Sequence, residues 1–323
     1  MGRRLFLRGL LALLAGAGLV ALGPYAWSRA RVGRAQLVVH RLGQPRAPRA
    51  PGQLRVATWN IAHLRGLPED NWAPTAAERD RRATDIAAVL RELDADVVVL
   101  TEVDFDASWS GRVDQARVIA ERAGYPIVVE QRDLDFCLGW VCWRFGNAVL
   151  SRVELKDASV IDLPGFSELE EAVAGKKRGA LVTLELPDGA VRLAGVHLCH
   201  RSEEVRTASA SQLDLLAAQG PPLIVVGDLN AAPTGFPHAE RTRDGFSAFR
   251  IFDGNGRFSR APAGGSPAAA DLTWPAAAPD RVLDWILVPT GWHHVGYRAV
   301  PSLLSDHLPL VSDVVRTSDA PAP

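Results

Sequence analysis

The sequence predicts a layered α/β domain, and three observations carry that prediction. Short apolar, strand-like runs recur from Leu54 to the C-terminal region, amphipathic helical stretches separate several of them, and the runs at 223–226 and 282–288 are apolar with few interruptions. An amphipathic helix buries one stripe against a neighbour, and a strand apolar on both faces needs cover on both sides. Mixed sheets clad by helices meet both demands.

Taken in order, residues 1–34 read as a targeting segment. Arg3-Arg4-Leu5-Phe6-Leu7-Arg8 is close to a twin-arginine pattern, and the 19 residues from Gly9 to Trp27 carry no charge. That run is long enough to span a bilayer and long for a cleavable signal core, while Ala26-Trp27-Ser28 offers a cleavage site. Anchor and cleaved signal both stay open, and Arg29, Arg31 and Arg34 complicate a simple positive-inside topology. Either way the expected location is outside the cytoplasm: periplasmic, extracellular, or held at the inner membrane. Residues 35–52 read as a linker, because Pro45, Pro48 and Pro51 lock φ and remove donors. The body then runs from 53 to 316, with a frayed tail at 317–323.

Within the body, Leu54–Val56 opens a strand. Ala76 to Leu93 is helical, with Ile86, Leu90 and Leu93 on one face and Glu78, Arg79, Arg81, Arg82 and Arg91 turned to water. Asp96 to Leu100 is a buried strand. Pro187-Asp188-Gly189 turns one antiparallel strand, 181–186, into the next, 191–196. Ser202 caps a helix that runs to Gln219, with Glu203 and Glu204 in its positive first turn and Gly220-Pro221 as its stop. Gly254 to Ala278 is rich in Gly, Pro and Ala and reads as an irregular rim loop.

The chain has 323 residues, 47% of them hydrophobic, which suffices for one large core, and no second composition regime marks a second domain. Its formal charge of -1 conceals an asymmetry: the arginines at 3, 4, 8, 29, 31 and 34 leave 30 basic groups against 37 acidic ones in the rest. Proteins that grip nucleic acid without sequence preference carry basic surfaces, so nucleic acid is the disfavoured partner and a monomer is expected. Cys137, Cys142 and Cys199 lack zinc spacing; a Cys137–Cys142 disulfide and buried free thiols are both open.

Five of the apolar runs end on residues that bind a cation or handle a proton. They are Asn60, Glu102, His197, Asp228 with Asn230, and Asp306 with His307. Loops at one end of a sheet carry sites on a rigid scaffold, so these residues can meet in one cleft. The stretches Thr58-Trp59-Asn60-Ile61, Thr101-Glu102-Val103, Gly146–Ser151, Gly195–Leu198, Gly227–Ala231, Arg281–Ile286 and Ser305–Pro309 together resemble the endonuclease/exonuclease/phosphatase superfamily. The resemblance spans roughly Leu54 to Val315. It implies a four-layer sandwich of two packed mixed β-sheets flanked by helices, and a metal-dependent phosphoesterase. One departure is Ala62, where some nucleases of the superfamily carry an acid.

On this reading Glu102 and Asn60 hold Mg²⁺, with Mn²⁺ as substitute, because hard divalent ions take oxygen ligands; Asp306 is a further metal contact. Asp228 and Asn230, two apart in extended chain, face the same side. Asp228 can take the proton of an attacking water and Asn230 can hold the phosphate. His197 and His307 supply donors, and the resemblance implies that Asp284 orients His307. His307 with Asp284 is the competing scheme for the base. Asn147, beside Gly146, and Arg178 are candidate substrate contacts. His63, His200, His293 and His294 read as surface or structural, and Trp109, Trp140, Trp143 and Trp274 as packing or a rim. The expected activity is hydrolysis of a phosphodiester or phosphomonoester by in-line attack of water. Its rivals are a nuclease and, from a different class, a non-catalytic anchored binding protein on the same scaffold.

Overall fold

A computed structural model describes residues 37–138 and 140–317, with Gly9, Leu11, residues 13–20 and Gly23 ahead of them. The Arg3-Arg4 pattern, the Ala26-Trp27-Ser28 site and the tail beyond Thr317 lie outside the described residues. Among the described residues no helix is long and apolar enough to cross a membrane.

The strands in chain order are β1 (Leu37–Arg41), β2 (Gln53–Asn60), β3 (Val97–Asp104), β4 (Ile127–Leu138), β5 (Val141–Ser151), β6 (Leu155–Asp162) and β7 (Arg178–Leu186). They continue with β8 (Gly189–His197), β9 (Leu223–Asp228), β10 (Phe258–Ser259), β11 (Asp284–Pro289), β12 (Trp292–Ala299) and β13 (Leu310–Arg316). One sheet has seven strands in the order β1-β4-β5-β3-β2-β13-β12, and the other has six in the order β10-β11-β9-β8-β7-β6. Both are mixed: β2 runs parallel to β3 and β8 parallel to β9.

Side-chain alternation makes four layers of these sheets. Val56, Val97, Val99, Val149, Val182, Leu193, Val226 and Ile286 fill the space between the sheets. The opposite faces of the same strands, including Trp59 and Leu100, pack on the Ala76–Leu93 and Gln115–Ala123 helices. Leu287 and Trp285 pack on the Glu203–Ala217 and Ala248–Gly254 helices. Each such fully buried Leu or Ile contributes about 1.5–3 kcal/mol. The four-layer sandwich expected from the resemblance is the observed fold.

The two helices delimited in the sequence start where it places them. Thr75 and Glu78 form a reciprocal capping box, with Glu78 N–H donating to Thr75 Oγ1 at 3.2 Å and Thr75 N–H to Glu78 Oε2 at 2.7 Å. Ser202 accepts from Val205 N–H at 3.3 Å. Arg79 departs from expectation: it is 3% exposed, and its guanidinium donates to the carbonyls of His63 and Asn71. A long side chain on the sheet-facing stripe has replaced a hydrophobe because a loop above the helix leaves carbonyls to satisfy.

The linker expectation also needs correction. Leu37–Arg41 is an edge strand on β4, with His40 opposite Val128, and the Pro-rich stretch after it is pinned to the body. Arg46 reaches Asp96 Oδ1 at 2.5 Å, Arg49 reaches Asp96 Oδ2 at 3.2 Å, and Arg46 N–H donates to Arg152 O. Proline stiffness reads as a spacer in sequence, but the arginines between the prolines find buried carboxylate. Cys137 and Cys142 form a disulfide across the β4–β5 hairpin, and Cys199 is a buried free thiol.

Candidate active site

The inner faces of the strands end in a polar row. On β2, Val56 and Asn60 share a face; on β9, Val226 and Asp228; on β11, Ile286 and Asp284. Register then sets these ends side by side, with His197 opposite Asp228 and Asp284 opposite Asp228 on its other flank. Gly227 allows that closeness. Its φ is 142°, and a Cβ there would stand 1.8 Å from the carbonyl oxygen of Val196.

Two site residues sit in the left-handed region that side chains rarely adopt. Glu102 has φ 52° at a register break in β3 between Leu100 and Val103, and Asn230 has φ 49° just past β9. A bulge re-aims a side chain at a strand end, and such conformations concentrate where function requires them.

Asp228 is the hub. Its Oδ2 accepts from Asn60 Nδ2 at 3.1 Å and lies 3.6 Å from His197 Nε2 and 3.7 Å from His307 Nε2. Its Oδ1 accepts from Asn230 N–H at 2.9 Å. His307 Nδ1 is 2.8 Å from Asp284 Oδ2, so the imidazole lies between two buried carboxylates. Burial opposes a charge on His307, but Asp284 and Asp228 outweigh it and push the group up to about 10. Burial also pushes Asp228 up to about 7, against the pull of His307. His197 is held well below its ordinary value by burial and by Lys177, so it is the neutral imidazole of the pair.

Glu102 faces the mouth. Burial resists its charge, but His63 and Arg65 outweigh that and hold it far below the ordinary carboxylate range. Its Oε1 accepts from Asn60 at 3.1 Å and its Oε2 from Arg65 at 3.0 Å, and the same guanidinium reaches Asp306 Oδ2 at 2.8 Å. The cleft has two lobes. One of about 260 Å³ is lined by Asp228, Asn230, His238, Trp274, Arg281, Asp306 and His307. The other, about 290 Å³, is lined by His63, Arg65, Asn71, Phe145 and Lys177, and both share Glu102, His197 and His200.

Against this geometry the sequence profile of the Endonuclease/Exonuclease/phosphatase family matches residues 57–307, which include every residue of the polar row. The chain belongs to the endonuclease/exonuclease/phosphatase family. Among solved structures, the endonuclease/exonuclease/phosphatase from Beutenbergia cavernae DSM 12333 is 23% identical, with a TM-score of 0.62 over 84% of this chain and 73% of that one. The human Nocturnin catalytic domain with bound sulfate anion is 21% identical, TM-score 0.56, covering 88% of this chain and 100% of its own. The mannosyl-6-phosphatase of Bacteroides thetaiotaomicron VPI-5482 is 16% identical, TM-score 0.54, covering 81% and 99%. At these identities the likeness is one of fold. No curated protein matches the chain.

The structure brings Asn60, Glu102, His197, Asp228, Asn230, Asp284, Asp306 and His307 to one end of the sandwich. It does not bring Asn147 and Arg178 into the cleft, where they were expected as substrate contacts. Asn147 is 1% exposed and donates to Gln131 Oε1 at 2.6 Å and to the Arg178 carbonyl at 3.2 Å. Arg178, also 1% exposed, bonds Asp162 on the neighbouring strand and the Arg132 carbonyl of the facing sheet. Both tie the sheets together under the site.

Asn60 also departs from its expected role as an oxygen ligand. Its Oδ1 accepts from Ala62 N–H at 3.0 Å, and its amide nitrogen faces Glu102 and Asp228. It holds two carboxylates in place and presents no oxygen to the mouth.

Family membership implies a divalent cation, and the remaining donor set fits one. Glu102 and Asp306 are oxygen donors at the mouth, both close enough together for one guanidinium to bridge. Asp228, Asp284 and His307 have ligand atoms within 4.8 Å of one another, but the imidazolium already supplies the positive charge in that group.

His63, Arg65, Lys177 and His200 line the cleft without having been assigned there from sequence, and Trp274, read as packing or a rim, lines it too. His63 Nδ1 is 2.8 Å from buried Asp104 and its Nε2 is 3.6 Å from Glu102. The available signal was position: His63 and Arg65 follow Asn60 by three and five residues in the same strand-end loop. His294 lies on β12 beside Ser312, and Trp109 and Trp143 pack on each other.

Proposed function

We propose that the protein is a Mg²⁺-dependent phosphoester hydrolase, with a phosphodiester favoured over a phosphomonoester. The observation that carries the reading is Asp228, a buried carboxylate flanked by neutral His197 and by His307 held charged by Asp284, at the base of a cleft rimmed by Glu102 and Asp306. A bound Mg²⁺ would be held by Glu102 and Asp306 and would neutralise charge on the phosphoryl oxygens.

The chain's own groups account for the rest. Asp228 takes the proton of the attacking water while Asn230 and the His307 imidazolium donate to the phosphoryl oxygens, where charge grows in the transition state. An imidazole held charged up to about 10 is a poor base at neutral pH, which favours Asp228 over the scheme with His307 as base. His197 is placed to donate to the leaving oxygen. Two lobes meeting at Glu102 and His197 leave room on both sides of one phosphate, as a diester requires.

The N-terminal segment supports work outside the cytoplasm, and the acidic body supports a lipid-derived or small diester over polymeric DNA. Asp228→Asn and His307→Gln should each lower turnover of a diester panel by ~10²–10⁴-fold with the fold intact by circular dichroism. Full activity of chelator-stripped protein would sink the metal reading. Recovery of the protein wholly from the cytosol, or cleavage of plasmid DNA with no action on small diesters or phospholipid headgroups, would overturn the location and substrate parts.

A further inference from the structure

Two carboxylates face the mouth of the cleft, Glu102 and Asp306, with side chains 24% and 23% exposed. Their shared partner is a cation from the chain itself. The Arg65 guanidinium places one nitrogen 3.0 Å from Glu102 Oε2 and the other 2.8 Å from Asp306 Oδ2, while its own side chain is only 13% exposed. Ala62, on the same loop, is buried and brings no ligand.

This placement is built. Ala62, His63 and Leu64 have φ of 46°, 52° and 58°, three consecutive left-handed residues, none of them glycine. Such a run persists only where its surroundings over-determine it, and here they do. Ala62 N–H donates to Asn60, the His63 carbonyl accepts from Gln115 and Arg79, and the Leu64 carbonyl accepts from Arg82. Each clamp comes from the first sheet or the helices packed on it. The strained loop therefore delivers a guanidinium to the position between two carboxylates that a divalent ion would share.

We propose that Arg65 is a resident counter-cation that fills the Glu102–Asp306 pair and sets the affinity of the site for a divalent ion by competing with it. The assignment rests on the reading of Glu102 as a cation ligand. The guanidinium and a divalent ion are like charges drawn to the same two carboxylates, so binding the ion weakens the Arg65 contacts and the Arg65 charge weakens the ion. Without the ion, Arg65 keeps two like charges from facing each other unscreened. With it, the freed guanidinium stays at the mouth, where a phosphate's bidentate oxygens suit it.

The test is Mn²⁺ binding by titration calorimetry on chelator-stripped full-length protein, alongside thermal melting in EDTA. Arg65→Gln should bind Mn²⁺ about tenfold tighter, an effect of the size of one charge pair at a partly buried site, and should melt lower than wild type in EDTA. Saturating Mn²⁺ should close that melting gap. Arg65→Lys, which keeps the charge but cannot span both carboxylates, should tighten Mn²⁺ by less, and it serves if the Gln variant does not fold. Unchanged or weaker Mn²⁺ binding in the folded variants would overturn the proposal. Glu102→Gln separates the premise: it should lose Mn²⁺ binding, and wild-type affinity there would overturn the ligand reading and this inference together.

Discussion

At the scale of single residues, the site is a set of ionisable groups held where burial opposes their charge. Asp228 must be ionised to accept a proton, and burial raises it to about 7, so activity should rise with pH through that value. His307 must be protonated to donate, and its two carboxylates raise it to about 10, so activity should fall as pH passes that value. The expected kcat/KM profile at saturating Mg²⁺ is a bell between those limbs. Asp284→Asn removes the nearer carboxylate and should bring the upper limb down in pH; because Asp284 also helps raise Asp228, the lower limb should move down with it, and an upper limb that stays in place would overturn the assignment. Arg178 makes a contrasting case. Because it ties sheet to sheet beneath the site, Arg178→Met should lower stability by about 1–3 kcal/mol through its stranded carbonyl partners, with kcat and KM of the folded fraction unchanged. A rise in KM alone would restore it as a substrate contact. The difference between these residues was only half legible in the sequence. Asp284 stands out as an acid in an apolar strand, whereas Arg178 follows Lys176-Lys177, and nothing local distinguishes a buried guanidinium from a solvated one.

At the scale of elements, the short apolar runs were the most legible feature, because a strand covered on both faces leaves an almost unbroken hydrophobic record. That record located β2, β3, β8 and β9 with the polar residues that follow them, and β11 with Asp284 at its start, whereas Leu303-Leu304, read as a fifth run before Asp306 and His307, lies in a loop ahead of β13. The left-handed turns were not legible. Glu102 and Asn230 adopt conformations that local preference disfavours, and only the paired strands beside them impose these. The same is true of the 62–65 loop, which is why His63 read as surface or structural and Arg65 did not stand out. Gly227 shows how tightly one element depends on another. Gly227→Ala should cost more than about 3 kcal/mol or prevent folding, since the new methyl meets backbone of β8 and the φ is unfavourable. Gly254→Ala, at a helix end with nothing within 4 Å of its Cβ, is the matched control and should be neutral or mildly stabilising by denaturant melt.

At the scale of the whole molecule, the boundary of the body lies earlier than proline content indicates. Asp96 is fully buried and is held by Arg46 and Arg49, and β1 covers the outer edge of β4. A chain beginning at Gln53 should therefore aggregate or melt well below one beginning at Leu37, since it uncovers a sheet edge and leaves a buried carboxylate without its arginines. Equal melting temperatures for the two would show the stretch to be dispensable. Five residues of β1 were too short a run to stand out from the prolines behind them. Their direction has a consequence of its own. Leu37 pairs with Gln131, which pairs with Asn147 just beneath the site, whereas Arg41 pairs with Ile127 at the far end of the sheet. The polypeptide thus arrives on the cleft's side, descends along β1, turns through the prolines and climbs β2 to Asn60. An attachment of the residues ahead of Leu37 to any surface would therefore meet the body at the rim next to its opening, with the closed end of the sandwich turned away.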